Sequence, residues 1–217
     1  MKRTVILVAA FILLVGGGSL LYRQSSNSSP ELKSNNVKGA STTMENSAAS
    51  DQTAKLANLP VVTVETNLGT FKIKLYTREA PELAKNFIEL ARSGYYNGLT
   101  FHRIIPGFVA QGGDPKGDGT GGHSYKGEGS GLADEPGALN LKHIRGAVAW
   151  AKSSLPNSIG SQFYVALDNL TQLDGGYSVF GQVVEGMDVI DKIAGVRTDS
   201  ANKPVNPVVM SQVTVSE

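Results

Sequence analysis

Cysteine is absent from this 217-residue chain, which excludes disulfide scaffolds, thiol nucleophiles, thiolate metal centres and a lipidated-cysteine anchor together. Tryptophan occurs once and aromatic residues make up only 7%. Neither charge sign dominates: 20 Lys and Arg stand against 19 Asp and Glu, a formal net charge of +1. A protein that lives on phosphate backbones carries a clear basic excess, so nucleic acid is set aside as a partner. Apolar runs of membrane length are missing except for one near the N-terminus, which excludes a polytopic membrane protein. At 41% hydrophobic and 18% charged residues, the chain is also not disordered throughout. What it has in excess is glycine: 25 residues, with 12 of them between Gly94 and Gly131, against a background of about 7%. Such density calls for long, tightly turned loops.

The chain divides into three parts. Residues 1–23 hold Lys2 and Arg3, then nineteen uncharged residues, Thr4–Tyr22, closed by Arg23. A helix of about 20 apolar residues spans a bilayer, so this run is long enough for an uncleaved signal-anchor; a basic start with an apolar middle equally describes a signal peptide, although no A-x-A cleavage site follows. Both readings leave Lys2 and Arg3 in the cytoplasm and export everything after Arg23. The expected location is extracytoplasmic and periplasmic, held to the inner membrane by residues 4–22 or released if the segment is cut. Residues 24–59 contain eight Ser, five Asn and no aromatic residue, a composition expected to stay a flexible linker. Residues 60–217 form the folded domain, with 14 basic and 16 acidic residues. Val61–Thr66 and Thr70–Tyr76 read as a hairpin whose second arm buries Phe71, Ile73 and Leu75 and exposes Lys72 and Lys74. Pro81–Ser93 reads as a helix with Leu83, Phe87 and Leu90 on one face and Gly94 as its stop. Short strands are expected at Thr100–Ile105, Phe108–Gln111, Ala147–Ala151, Gln162–Leu167, Ser178–Val184 and Val208–Val215, with a second helix at Met187–Ala194. Many short strands and two helices suggest a closed antiparallel barrel with helical caps.

Several chemistries find no footing. Gly117–Ser124 is one residue from a phosphate-binding loop, but His123 stands where the lysine belongs and loop, not helix, follows. The spacing of His102, His123 and His143 matches no metal-ligand pattern. Gly129-Ser130-Gly131 lacks the context of a nucleophile elbow. No metal or cofactor is expected.

Three islands carry information. Phe101-His102-Arg103-Ile104-Ile105-Pro106-Gly107-Phe108-Val109-Ala110-Gln111-Gly112-Gly113-Asp114 puts a charge inside an apolar strand ahead of a Pro-Gly turn. Ile159-Gly160-Ser161-Gln162-Phe163-Tyr164-Val165 embeds a glutamine in a strand. Leu173-Asp174-Gly175-Gly176-Tyr177-Ser178-Val179-Phe180-Gly181 is a turn entering a strand. On pattern alone, Arg103 is either half of an ion pair on an edge strand or a fixed cation beside an apolar pocket.

In this order and spacing, the islands resemble the cyclophilin family of peptidyl-prolyl cis-trans isomerases, across essentially all of residues 61–215. The resemblance implies an eight-stranded antiparallel β-barrel capped by two α-helices, with a groove on its outer face that takes proline-containing unfolded or exported polypeptides. It implies that Arg103 is catalytic, that Phe108, Val109, Gln111 and Gly119 line the groove, and that Ala151, Lys152 and Ser153 pair with the peptide backbone. Gln162 and Tyr164 fall at the pocket wall, Leu173 at its floor and Tyr177 at its rim; His102 is structural. Departures from the family pattern include Val109 for methionine, Gln172 for the tryptophan of cyclosporin-sensitive members, Tyr177 for histidine, Lys152-Ser153 for Asn-Ala, and one extra residue before Gly160. Tyr177 and the insertion resemble bacterial members. The expected activity is X–Pro isomerisation by a monomer that assists exported proteins; the alternative is a non-catalytic peptide-binding or scaffold module with the same fold.

Overall fold

Strict alternation in the first two strands sets the frame. In the computed structural model, which describes residues 50–56 and 58–216, β1 (Val61–Thr66) and β2 (Gly69–Leu75) pair antiparallel around an Asn67-Leu68 turn. Val62, Val64, Phe71, Ile73 and Leu75 are fully enclosed, as the period of two requires. The other strands are β3 (Thr100–Ile105), β4 (Val109–Asp114), β5 (Ala147–Trp150), β6 (Phe163–Ala166), β7 (Val179–Glu185) and β8 (Met210–Ser216). They form one antiparallel sheet of order β3-β4-β6-β5-β7-β2-β1-β8. Its two outer strands meet: Thr100 bridges Val209, Gly98 N–H donates to Met210 O at 2.7 Å, and Met210 N–H donates to Leu99 O at 2.8 Å. The eight strands thus curl into a barrel, which removes the exposed edges an open sheet would present.

Two helices cover the barrel. Helix α1 (Pro81–Arg92) starts with proline at its first position, where the missing N–H costs nothing, and stops at Ser93 before Gly94, whose φ is +74°. Its free N-terminal amides are satisfied from afar: the Glu135 carboxylate accepts from Glu82 N–H at 3.2 Å and Leu83 N–H at 2.9 Å. Phe87 enters the barrel core and lies against Tyr96, Phe163 and Phe180 at ring-centroid distances of 4.9, 5.2 and 5.2 Å, with Trp150 at 6.0 Å. Between Glu135 and the strands runs α2 (Pro136–Asn140), a single short turn of helix that the hydrophobic pattern did not signal. Helix α3 (Met187–Ala194) buries Val189, Ile190 and Ile193.

The expected signal or anchor segment at Thr4–Tyr22 and the linker up to Ala49 lie outside the described residues. Among the described residues, no helix is long and apolar enough to cross a membrane. The far end of the expected linker behaves differently from a solvated spacer. Residues 50–54 are helical, and Gln52, Leu56 and Leu59 are buried. Gln52 brackets Lys142, its Nε2 donating to Lys142 O at 3.0 Å and its Oε1 accepting from Lys142 N–H at 2.8 Å. The folded unit therefore begins ahead of Pro60. Two leucines and one glutamine are enough to dock this stretch, and averaging over the mostly polar composition of residues 24–59 hid them.

Candidate active site

A β-bulge turns Arg103 out of the core. Across β3 and β4, Phe101 faces Gly112 and Arg103 faces Gln111, so two residues on β3 oppose one on β4, with His102 as the extra residue. Without the bulge, Phe101 and Arg103 would share a face. With it, Phe101 and Ile104 both enter the barrel core, and Arg103 faces outward. His102 absorbs the irregularity: its ring is buried and, among the described residues, neither nitrogen has a hydrogen-bond partner, so burial first of all pushes its pKa below the ordinary 6.5.

Register then carries a row across four strands. Arg103 pairs with Gln111, Gln111 with Tyr164, and Tyr164 with Ala149. The side chains are joined by hydrogen bonds. Arg103 Nη1 donates to Gln111 Oε1 at 3.2 Å, Gln111 Nε2 donates to Gln162 Oε1 at 2.9 Å, and Gln162 Nε2 donates to Gly119 O at 3.0 Å and Gly121 O at 2.8 Å. The amide chain holds the guanidinium over the sheet and ties it to the glycine-rich loop. That loop is organised by Asp114, whose carboxylate accepts from the N–H groups of Lys116, Asp118 and Gly119 at 2.9, 3.1 and 2.6 Å.

Arg103 is half-buried and, among the described residues, makes no ion pair with a carboxylate. Of the two readings its sequence allowed, the edge-strand ion pair is therefore not the one adopted. Burial draws its pKa below the usual guanidinium value, yet a guanidinium stays protonated throughout the accessible range. Its fork keeps N–H groups beyond the single bond to Gln111.

Next to the guanidinium lies an apolar cluster separate from the barrel core. Val109, Ala149, Tyr164, Leu173 and Val179 are buried in it, with Phe108, Ala151 and Tyr177 half-buried against them. Phe108 is delivered by the Ile105-Pro106-Gly107 turn, in which Phe108 N–H donates to Ile105 O at 3.0 Å and Gly107 has φ +70°. Leu173 ends a 3₁₀ turn, Thr171–Leu173, and Tyr177 meets Tyr164 edge-on at 6.2 Å. Gln172 on that turn is exposed.

The expected site residues thus come together, with three differences in detail. Lys152 turns its ammonium to the Asp134 carboxylate, which also accepts from Ser178 Oγ at 2.7 Å, and passes 5.6 Å over the Tyr177 ring. Its side chain is engaged within the protein. Ser153 is exposed and tied inside its own loop, its N–H donating to Ser158 Oγ at 3.2 Å. Gly119 is exposed with both backbone polar groups already occupied. Asp134 and Ala149 join the site unannounced; neither stands in an island that the sequence made conspicuous. Among the described residues no three metal-ligating side chains gather.

This arrangement can grip an apolar ring and offer hydrogen bonds to a neutral carbonyl beside it. A family model described as cyclophilin type peptidyl-prolyl cis-trans isomerase/CLD matches residues 61–215. The chain belongs to the cyclophilins. Cyclophilin relatives cover most of the domain. Peptidyl-prolyl cis-trans isomerase CYP18-2 of Arabidopsis thaliana is 41% identical over 149 residues, covering 69% of this chain and 89% of the relative. A peptidyl-prolyl cis-trans isomerase-like 1 of Neurospora crassa is 45% identical over 147 residues, 68% of this chain and 88% of the relative. The solved cyclophilin of Cryptosporidium parvum, crystallised in the presence of the dipeptide Ala-Pro, superposes with a TM-score of 0.68 at 35% identity, covering 72% of this chain and 99% of that one. The enzyme class is accordingly that of a peptidyl-prolyl cis-trans isomerase.

Proposed function

We propose that this cyclophilin isomerises X–Pro bonds in exported proteins by stabilising the twisted amide with Arg103 beside the apolar cluster. The X–Pro bond resists rotation by about 18–20 kcal/mol because nitrogen donates into the carbonyl. Spontaneous exchange therefore takes tens to hundreds of seconds. No covalent bond changes, so neither nucleophile nor base is needed. Phe108, Val109, Tyr164 and Leu173 hold the proline ring, and the rest of the amide turns against it. Arg103 donates to the prolyl carbonyl, while Gln111 steadies the guanidinium from behind. In the twisted state the nitrogen lone pair is localised, and the charge beside a desolvated pocket favours that state over either planar isomer. A roughly 10⁴-fold acceleration needs about 5–6 kcal/mol of such differential stabilisation.

The observation that carries this reading is Arg103 itself: a half-buried cation on the outer face, free of any carboxylate among the described residues, one strand from the apolar cluster. Export rests on Lys2, Arg3 and the uncharged run Thr4–Tyr22. A protease-coupled assay on the purified full-length chain, with an Ala-Pro-containing tetrapeptide, tests the activity; an exchange rate no faster than the uncatalysed one would leave only a binding module. Protease accessibility of the domain in intact and permeabilised cells tests the location.

A further inference from the structure

His143 spends every polar atom on the back of the pocket. Its N–H donates to Asp174 Oδ1 at 2.8 Å, its carbonyl accepts from Leu170 N–H at 2.7 Å, Nδ1 lies 3.0 Å from the same Asp174 oxygen, and Nε2 lies 3.0 Å from the Tyr164 hydroxyl. A carboxylate only accepts, so Nδ1 carries the hydrogen and Nε2 accepts from Tyr164 O–H. The two rings lie nearly parallel, 14° apart with centroids at 6.0 Å. His143 thereby links the pocket wall, Tyr164, to the residue that follows the floor, Asp174 after Leu173.

His143 is fixed in turn from outside the barrel. Gln52 occupies both backbone groups of Lys142, the preceding residue, and its own carbonyl accepts from Tyr76 Oη at 3.4 Å. Leu56 and Leu59 complete the same apolar cluster that contains Val109, Tyr164 and Leu173. Lys55 reaches Glu79 at 3.7 Å.

We propose that His143 is a positioning residue for the proline pocket, holding the Tyr164 ring by its hydroxyl, and that Gln52, from the segment ahead of the barrel, holds His143 in place. The inference rests on the reading of Tyr164 as pocket wall. It makes Gln52, Leu56 and Leu59 part of the binding apparatus rather than the end of a spacer. A single such hydrogen bond corresponds to about a fivefold change in affinity.

The test compares Tyr164→Phe, Gln52→Ala, Tyr164→Ala and the double variant Tyr164→Phe/Gln52→Ala in the full-length chain, by substrate titration with an Ala-Pro-containing tetrapeptide. Thermal melts accompany each variant. Tyr164→Phe, which deletes one oxygen and keeps the ring, is expected to raise KM about fivefold while kcat stays within about twofold. Gln52→Ala is expected to raise KM in the same direction, and to add nothing in the Tyr164→Phe background. If Tyr164→Phe and Gln52→Ala keep the wild-type KM while Tyr164→Ala raises it, the positioning role is overturned and the pocket stands. Multiplying effects in the double variant would equally overturn it, because the two residues would then act independently. A wild-type KM in Tyr164→Ala would remove Tyr164 from the pocket and the inference with it.

Discussion

Replacing Arg103 with alanine isolates the guanidinium from the rest of the barrel. In the ground state the side chain makes one hydrogen bond, to Gln111 at 3.2 Å, and no ion pair among the described residues. Its removal therefore strips little from the folded state: a lone neutral-acceptor bond is worth about 1 kcal/mol or less net at a half-exposed position. In the transition state the loss is larger. A charge-assisted donor preorganised beside a desolvated pocket contributes about 3–4 kcal/mol, so kcat/KM is expected to fall by roughly 10²–10³-fold. Arg103→Lys keeps the charge but not the fork, cannot hold Gln111 and the prolyl carbonyl together, and is expected to fall between wild type and alanine. The assay is protease-coupled isomerisation of an Ala-Pro-containing tetrapeptide, with a thermal melt beside it. Alanine at wild-type rate would refute the reasoning. So would a collapse of the melt, which would show the arginine to be structural.

Further outcomes follow from burial. Activity is expected to be nearly flat between about pH 6 and 8.5, since the guanidinium keeps its proton; a bell centred near histidine's ordinary pKa would place a titrating imidazole in the reaction. Stability should behave otherwise. Desolvation, the leading cause, lowers the pKa of both His102 and His143 below 6.5, so the unfolded chain takes up protons that the folded one refuses. That stabilisation is complete above pH 6.5 and is lost as the pH falls through the folded values; the melting temperature is expected to drop between about pH 7 and 5, and a rise on acidification would contradict it. Phe87→Ala, which empties the centre of the aromatic cluster, is expected to cost about 3–5 kcal/mol and to lower the melting temperature by about 6–20 °C.

Much of this was legible from residue patterns. Alternation in Thr70–Tyr76 located β2, and proline and glycine punctuation located α1 nearly to the residue. The β3 and α3 ranges agree with the expectation outright. Strand ends were less legible: Phe108 was expected inside β4, yet it belongs to the Pro-Gly turn, and the strand runs on through Gly112 and Gly113 to Asp114. Periodicity says nothing of where pairing stops. The outward aim of Arg103 was also hidden, because a bulge is a property of two strands in register and not of either alone. In the sequence His143 stands out only as one of three histidines with no metal-ligand spacing; its hydrogen-bond partners, Asp174 and Tyr164, lie 31 and 21 residues away. Gln52 sits in a polar stretch that looks like solvent-facing chain, and only its partner Lys142, 90 residues on, gives it meaning. The resemblance to a family named the residues expected to line a groove; the three-dimensional pairings show how those side chains are held beside one another.

A crystal structure of the full-length chain with an Ala-Pro-containing peptide bound reads the central claim most directly. The proline ring is expected on Phe108, Val109, Tyr164 and Leu173, with an Arg103 nitrogen within about 3.2 Å of the prolyl carbonyl oxygen. A proline seated elsewhere on the barrel, or an Arg103 side chain swung away from that oxygen, would contradict the account.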